Sequence, residues 1–306
     1  MRGPTGEAFD EVLVMQESAV AAGVPWSGPP EVGRTDVAVA GRRISAVVWG
    51  AGDDAEVVLL HGGQQNAHTW DLVALSLDRP VVAVDLAGHG HSDPVAGSFD
   101  PRHHAEDLAV ALPRLAPKAR LVAGMSLGGL SGIRLAALHP ELVGGLVVID
   151  VTPGVVHGRR HNEEMYRLTQ VESFDSFEAM VDEVAKANPA RSKDALRRGL
   201  LFNTKERDDG RWVWRWQWGS SGGDGDGSNV GPYVSLWDDL SRLRCPVTLV
   251  RGERSLVVTE VDEAEFLRRR PETEVVVIAG AGHSVQGSRP VELAALLADR
   301  LDRAAP

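Results

Sequence analysis

An α/β fold built of βαβ units, with a helical insertion, is what this sequence predicts, on three observations. Short continuous Val/Leu/Ile runs recur with helical stretches between them. One of them, Leu121–Met125, runs into Gly124-Met125-Ser126-Leu127-Gly128 and then at once into the small-residue helix start Gly129-Leu130-Ser131-Gly132. The alternation stops after Asp150 and returns at Pro246.

The elements follow in order. Phe9–Ala22 reads as a short amphipathic helix lying on the body of the protein. Thr35–Val39 and Arg43–Trp49 form a hairpin joined through Ala40-Gly41. Ala55–Leu60, Val81–Asp85, Leu121–Met125 and Leu146–Asp150 are unbroken apolar runs, the pattern of parallel strands covered on both faces. Helices fill the gaps at Trp70–Leu77, Ala105–Leu115 and Leu130–His139, the last closed by His139-Pro140 because proline disfavours helix in the residue before it. Residues from about Gly154 to about Trp237 carry helical segments, such as Phe174–Ala187 and Lys193–Leu201, with no buried strand. Then come a strand (Pro246–Arg251), a helix (Glu260–Arg270), a strand (Val275–Ala279) and a final helix (Pro290–Leu301). The organisation is a core of residues 1–153 and 238–306 with an insertion at 154–237.

Composition narrows the function. The 306 residues are 43% hydrophobic and 25% charged, which suits one large α/β domain or a domain with an insertion. The net charge of −11 argues against nucleic acid or an anionic membrane as partner. No apolar stretch approaches the length of a membrane span. Met1 to Glu17 is polar and acidic where a signal peptide needs a basic start and an apolar core. The single cysteine, Cys245, allows no internal disulfide and reads as a small buried residue, so a cytoplasmic protein is expected.

The chemistry centres on Ser126. A strand that turns sharply into a helix presents a serine at its tip, and the flanking glycines remove side chains that would collide across the turn. The helix N-terminus then offers backbone N–H groups to a developing oxyanion. A serine hydroxyl needs a base, and the base needs an orienting group. Of the ten histidines, His283 is the best placed, in Ala279-Gly280-Ala281-Gly282-His283 after the Glu274–Ile278 strand. His61, in His61-Gly62-Gly63, reads as a brace for a loop. His89 and His91 sit in a tight turn with no metal-ligand spacing around them, and His103-His104 reads as a surface pair at a helix start. No metal or cofactor is expected.

Taken together, His61-Gly62-Gly63, Asp85-Leu86-Ala87-Gly88-His89-Gly90-His91-Ser92, Gly124-Met125-Ser126-Leu127-Gly128-Gly129, His139-Pro140 and Gly280-Ala281-Gly282-His283 resemble the α/β-hydrolase fold superfamily over nearly the whole chain. The resemblance implies a mostly parallel eight-stranded sheet with helices on both faces and a helical cap inserted after the sixth strand. It also implies a Ser–His–acid triad and an oxyanion hole formed by the N–H groups of Leu127 and Gly63. In much of the superfamily the acid follows the seventh strand in a Gly-Asp-x-Asp-like turn. Here that turn is Arg251-Gly252-Glu253-Arg254-Ser255, and Ser255 stands at the acid's position. Asp150, at the end of the preceding strand and at the same carboxyl edge as Ser126, is the first candidate instead, and Glu253 the second. Asp150 also has a plainer reading as a cap for the insertion. Haloalkane dehalogenases and zearalenone-type lactonases look similar in placing their acid there.

The expected reaction is hydrolysis of a carboxylic ester or lactone through an acyl-enzyme. Carbon–carbon bond hydrolysis and thioester hydrolysis run on the same triad, and a ligand receptor on this fold is the reading from a different class. Trp212, Trp214, Trp216 and Trp218 alternate along an extended segment, so their indoles share one face. That stripe is either packing within the insertion or a wall of an apolar pocket. Trp214 and Trp216, with Met125, are the pocket candidates for a small apolar or aromatic ester-like substrate. Ser220–Asn229 reads as a flexible low-complexity loop.

Overall fold

The apolar runs become an eight-stranded sheet in a computed structural model that describes residues 9–95, 100–155, 167–189, 191–217 and 233–304. Its strands are β1 (Val32–Val39), β2 (Arg42–Trp49), β3 (Val57–Leu60), β4 (Val81–Val84), β5 (Leu121–Met125) and β6 (Gly145–Ile149). After the insertion, which carries β7 (Thr204–Glu206) and β8 (Trp212–Trp214), come β9 (Val247–Gly252) and β10 (Glu274–Ile278). The order across the sheet is β1-β2-β4-β3-β5-β6-β9-β10. The β1–β2 and β2–β4 pairs are antiparallel and every other pair is parallel. The hairpin turn is Ala40-Gly41, with φ of 48° and 76°, the paired positive values that a two-residue turn of this twist demands.

The helices are α1 (Glu11–Ala22), α2 (Asp71–Leu77), α3 (Pro101–Leu115), α4 (Leu127–Leu138), α5 (Phe177–Ala187), α6 (Lys193–Asn203), α7 (Leu236–Arg242), α8 (Glu260–Arg269), α9 (Val285–Ser288) and α10 (Pro290–Arg303). Period 2 along the strands divides the core in two. Val58, Leu60, Val82, Val84, Val122 and Val148 face one side, where they pack with Leu108, Leu112, Ile133 and Leu240 of α3, α4 and α7. Val57, Leu59, Val81, Ala83, Val147 and Ile149 face the other, against Val73 and Leu77 of α2 and Leu293, Leu297 and Leu301 of α10. Both faces are covered, which is why these strands read as continuous rather than alternating apolar runs. No helix among the described residues is long and apolar enough to cross a membrane.

Residues 167–217 stand apart from the sheet around a core of their own, in which Phe177, Met180 and Val181 of α5 and Leu196 and Leu200 of α6 surround Trp212, Trp214 and Trp216. The sequence reading has no buried strand here. The structure corrects it: β7 and β8 pair antiparallel, and Trp212 and Trp214 lie in that pair only 4% and 8% exposed. Three-residue strands are too short to show a period of their own, and the tryptophans alone carried the signal. The segment is tied to the body by polar clamps. Gln217 N–H donates to Gly88 O at 2.7 Å, its side chain bonds both the N–H and the C=O of Val95, and Phe202 stacks on His68 at 4.0 Å. Trp218 and the Ser220–Asn229 loop lie outside the described residues.

Beneath β3 and β4 runs a belt of buried histidines. His61 and His89 rings lie 5.1 Å apart, and His89 and His104 rings 6.4 Å apart. His104, read from the sequence as a surface residue, is 1% exposed, because it turns toward the sheet from the first turn of α3 while His103 faces solvent. Burial pushes His61 down to about 4 and His89 and His104 down to about 3. Asp85 is completely buried among them. Burial alone would raise its pKa, but Arg34 Nη1 at 2.7 Å, the neighbouring His61 and the N–H groups of Ala67 and His91 hold it below the usual carboxylate range.

These histidines make stability fall with acid. Each stays neutral in the fold while the unfolded chain takes up a proton near pH 6.5, so the unfolded state binds more protons below that value. Stability is therefore full above about pH 6.5 and is lost as pH drops toward about 4, by up to about 1.4 kcal/mol per histidine per pH unit. Urea midpoints measured at intervals between about pH 7.5 and 4.5 should fall steeply across that range, and His104→Gln should make the fall shallower. A midpoint constant to about pH 5 would refute this account.

Candidate active site

Ser126 is held by the backbone. It follows β5 and caps α4 with φ 50° and ψ −116°, a conformation L-residues adopt only under strain of about 1–3 kcal/mol. The strain is locked in from both sides: its N–H donates to Ile149 O at 3.0 Å, and its carbonyl accepts the N–H of Leu130 at 3.1 Å. The turn is also too tight for side chains. A Cβ on Gly128 would sit 2.3 Å from Leu60 O, and one on Gly124 would sit 2.3 Å from Gly128 O. This is the physical reason for the glycines of the motif.

The neighbouring strand ends in Asp150, also at positive φ, 52°. Its N–H bonds Val250 O at 2.8 Å, and its side chain is completely buried. His283 Nδ1 lies 2.7 Å from Asp150 Oδ2. Ser255 Oγ donates to the same oxygen at 2.5 Å, and Gly252 N–H donates to Oδ1 at 3.0 Å. A carboxylate only accepts, so Nδ1 carries the hydrogen and Nε2 keeps its lone pair. Glu253, the second candidate acid, is turned away: its Oε2 accepts the N–H of Gly280 at 2.7 Å. Asp150 and His283 are thus brought together, beside the end of the strand that carries Ser126.

On the other side of β5 lies His61-Gly62-Gly63. His61 is the brace the sequence suggests. Its Nε2 accepts Leu86 N–H at 3.0 Å and its Nδ1 donates to Gly62 O at 2.7 Å, an assignment that suits a ring kept neutral by burial. Gly62 N–H is taken by Gln65 Oε1 at 3.0 Å. The same oxygen accepts from Gln286 Nε2 at 3.3 Å, and Gln286, 0% exposed, also reaches Thr69 Oγ1 at 3.3 Å. Gln65 and Gln286 thus join the His283 loop to the Gly62 loop, a link that sequence reasoning missed. Two glutamines 221 positions apart carry no local pattern that could have shown it. Neither Gly63 N–H nor Leu127 N–H has a hydrogen-bond partner among the described residues, and Leu127 opens α4, where the first N–H groups have no intrahelical partner.

Met125, the pocket candidate beside Ser126, is 2% exposed and lies under the Gly62 loop, its Sδ 2.5 Å from where a Cβ on Gly62 would stand. Trp214 and Trp216 stack on each other at 4.2 Å within the insertion's own core, and Trp214 Nε1 donates to Leu168 O at 3.3 Å. Among the described residues no hydrogen bond or ring contact joins either indole to Ser126 or His283.

Comparison with known proteins agrees with the architecture. A profile of the alpha/beta hydrolase family matches residues 57–296. Esterase Rv0045c of Mycobacterium tuberculosis is 43% identical over 304 residues, covering 96% of this chain and 96% of the relative. A crystal structure of that esterase superposes with a TM-score of 0.80 at 42% identity, over 96% of this chain and 99% of that one. The 2-(acetamidomethylene)succinate hydrolase of Mesorhizobium japonicum is 28% identical, covering 81% of this chain and 88% of its own. A solved structure of E-2-(acetamidomethylene)succinate hydrolase gives a TM-score of 0.73 at 25% identity, over 89% of this chain and all of that one. Matched by the family profile across most of its length and by a relative nearly as long as itself, the chain belongs to the alpha/beta hydrolase family.

Proposed function

We propose that this chain is a serine esterase that cleaves a carboxylic ester or lactone through an acyl-enzyme, with Ser126 as nucleophile, His283 as base and Asp150 as triad acid. The observation that carries the reading is the 2.7 Å bond from His283 Nδ1 to the buried Asp150, at the edge of the sheet where Ser126 is held in its strained turn. The extensive similarity to an esterase supports the ester substrate. In this mechanism His283 Nε2 takes the Ser126 proton as Oγ attacks the carbonyl. Gly63 and Leu127 N–H groups hold the oxyanion. His283 then returns the proton to the leaving alcohol, and water, activated by the same nitrogen, releases the acid. Asp150 keeps the proton on Nδ1 and stabilises the imidazolium in both half-reactions. Residues 154–237 serve as the cap over this site. The single cysteine, buried and unsuited to a disulfide, is in keeping with work in the cytoplasm.

Purified protein should hydrolyse p-nitrophenyl acetate and be labelled covalently by a fluorophosphonate. Ser126→Ala should lose both, with a loss in kcat of about 10⁴-fold or more, and rate should fall toward acid as His283 protonates. Labelling that persists in Ser126→Ala would place the nucleophile elsewhere. Parallel assays with a short lactone, an acyl thioester and a vinylogous diketone separate the ester reading from thioester and carbon–carbon hydrolysis. Gln65→Ala frees the Gly62 N–H and loosens the oxyanion loop. It should lower kcat by about tenfold with little change in KM, less than the 10²–10³ typical of deleting a donor itself. An unchanged kcat would deny Gln65 that role.

A further inference from the structure

We propose that the Ser255 hydroxyl is a positioning residue of this site, fixing the Asp150 carboxylate and moderating its pull on His283. The inference rests on the triad reading above and extends it by one group. Three hydrogen bonds end on Asp150, and Ser255 makes one of them. Its single proton has no choice of direction. Ser255 Oγ already accepts the N–H of Val257 at 3.2 Å, so the hydroxyl hydrogen points along the 2.5 Å contact to Asp150 Oδ2. The serine is itself held by its turn, through Ser255 N–H to Gly252 O at 3.0 Å and Arg254 N–H to Ala281 O at 2.8 Å. The second of these ties the turn to the loop that ends in His283.

The Ser255 proton and the His283 Nδ1 proton share one oxygen. Asp150 has 0% side-chain exposure, so no bulk water substitutes for a missing donor. The hydroxyl therefore does two things. It prevents rotation of the carboxylate about its χ2 bond, which would swing Oδ2 off the imidazole. It also takes up part of the anionic charge that would otherwise bear on His283 alone. Of the charged groups of the packed elements, Arg251 pairs with Glu263, Glu253 with Gly280 N–H, Arg289 with Ala279 O, and Asp262 with Thr259. Asp150 is the carboxylate whose charge reaches the ring, and Ser255 is the group that tempers it.

The test is the pH dependence of kcat/KM for p-nitrophenyl acetate in the full chain and in Ser255→Ala, Ser255→Thr, Asp150→Asn and Ser126→Ala. With the hydroxyl gone, the carboxylate charge favours the imidazolium more strongly, so its protonation begins at higher pH. Ser255→Ala should lose about tenfold in kcat and move the acid limb upward by about half a pH unit. Ser255→Thr, which keeps the hydroxyl, should restore the limb. A Ser255→Ala enzyme with reduced rate but an unmoved limb would make the residue merely structural and overturn the proposal, as would full activity. Those results would leave the triad standing if Ser126→Ala and Asp150→Asn are inactive. Activity retained in Ser126→Ala or Asp150→Asn would overturn the triad reading itself, and with it the role of Ser255.

Discussion

A fully buried carboxylate, bonded to no arginine or lysine among the described residues, organises this end of the sheet. Removing Asp150 from water costs several kcal/mol unless its oxygens are satisfied, and the donors that satisfy them are a backbone N–H, a hydroxyl and an imidazole. Two come from one turn, Gly252 to Ser255, and the third from the loop after β10, so the constraint reaches outward. The turn after β9 must approach closely enough for Gly252 N–H to arrive, and it does so against the loop after β10. A Cβ on Gly252 would lie 2.4 Å from Gly282 O. The glycine and the carboxylate are two halves of one geometric requirement. In the proposed mechanism, neutral donors in place of a guanidinium leave the imidazolium as the cation the carboxylate can pair with, which is the arrangement a transferring base needs.

The strain at this edge follows from the same requirement. Ser126 and Asp150 end adjacent parallel strands, and both have φ near 50°. Extended backbone would carry each side chain up or down from the sheet; the positive φ turns it instead across the strand ends. Ladder bonds from Ser126 N–H to Ile149 O and from Asp150 N–H to Val250 O hold both residues in register at the moment the backbone departs from it. The cost is borne by two buried layers of Val and Leu on either face, whose burial no local relaxation at the turn can recover.

Most of this architecture was legible because it depends on nearest neighbours in sequence. Strands covered on both faces must be continuously apolar, and a serine between glycines at a strand-to-helix turn announces itself. The acid was open between Asp150 and Glu253, because both sit at strand ends where either could reach an imidazole. In the structure Asp150 bonds His283 while Glu253 meets Gly280 N–H, a contact between loops that no periodicity encodes. Ser255 looked like a missing acid. It donates to Asp150, a contact hidden from the sequence because the two residues lie 105 positions apart. His104 failed for a related reason: two adjacent histidines at a helix start look polar, yet one faces the sheet. The short β7–β8 pair escaped because three residues show no period.

The remaining question is how two loops on opposite sides of β5 keep a common geometry, since in the proposed mechanism the base and the oxyanion donors must be correct for the same carbonyl at once. Covalent distance is of no help: His283 and Gly63 are separated by most of the chain. The Gln286–Gln65 contact shortens that path to two side chains. Gln286 follows His283 by three residues and is wholly buried, and its amide reaches the oxygen that holds Gly62 N–H. Movement of the histidine loop therefore pulls on the loop presenting Gly63. The bonds of 3.3 Å are at the long end of the normal range and neither is charged. They set a relative position cheaply. The stronger bonds, those to Asp150, fix the His283 ring. The division places rigid, charge-assisted contacts at the His283 ring and softer amide contacts between its loop and the Gly62 loop.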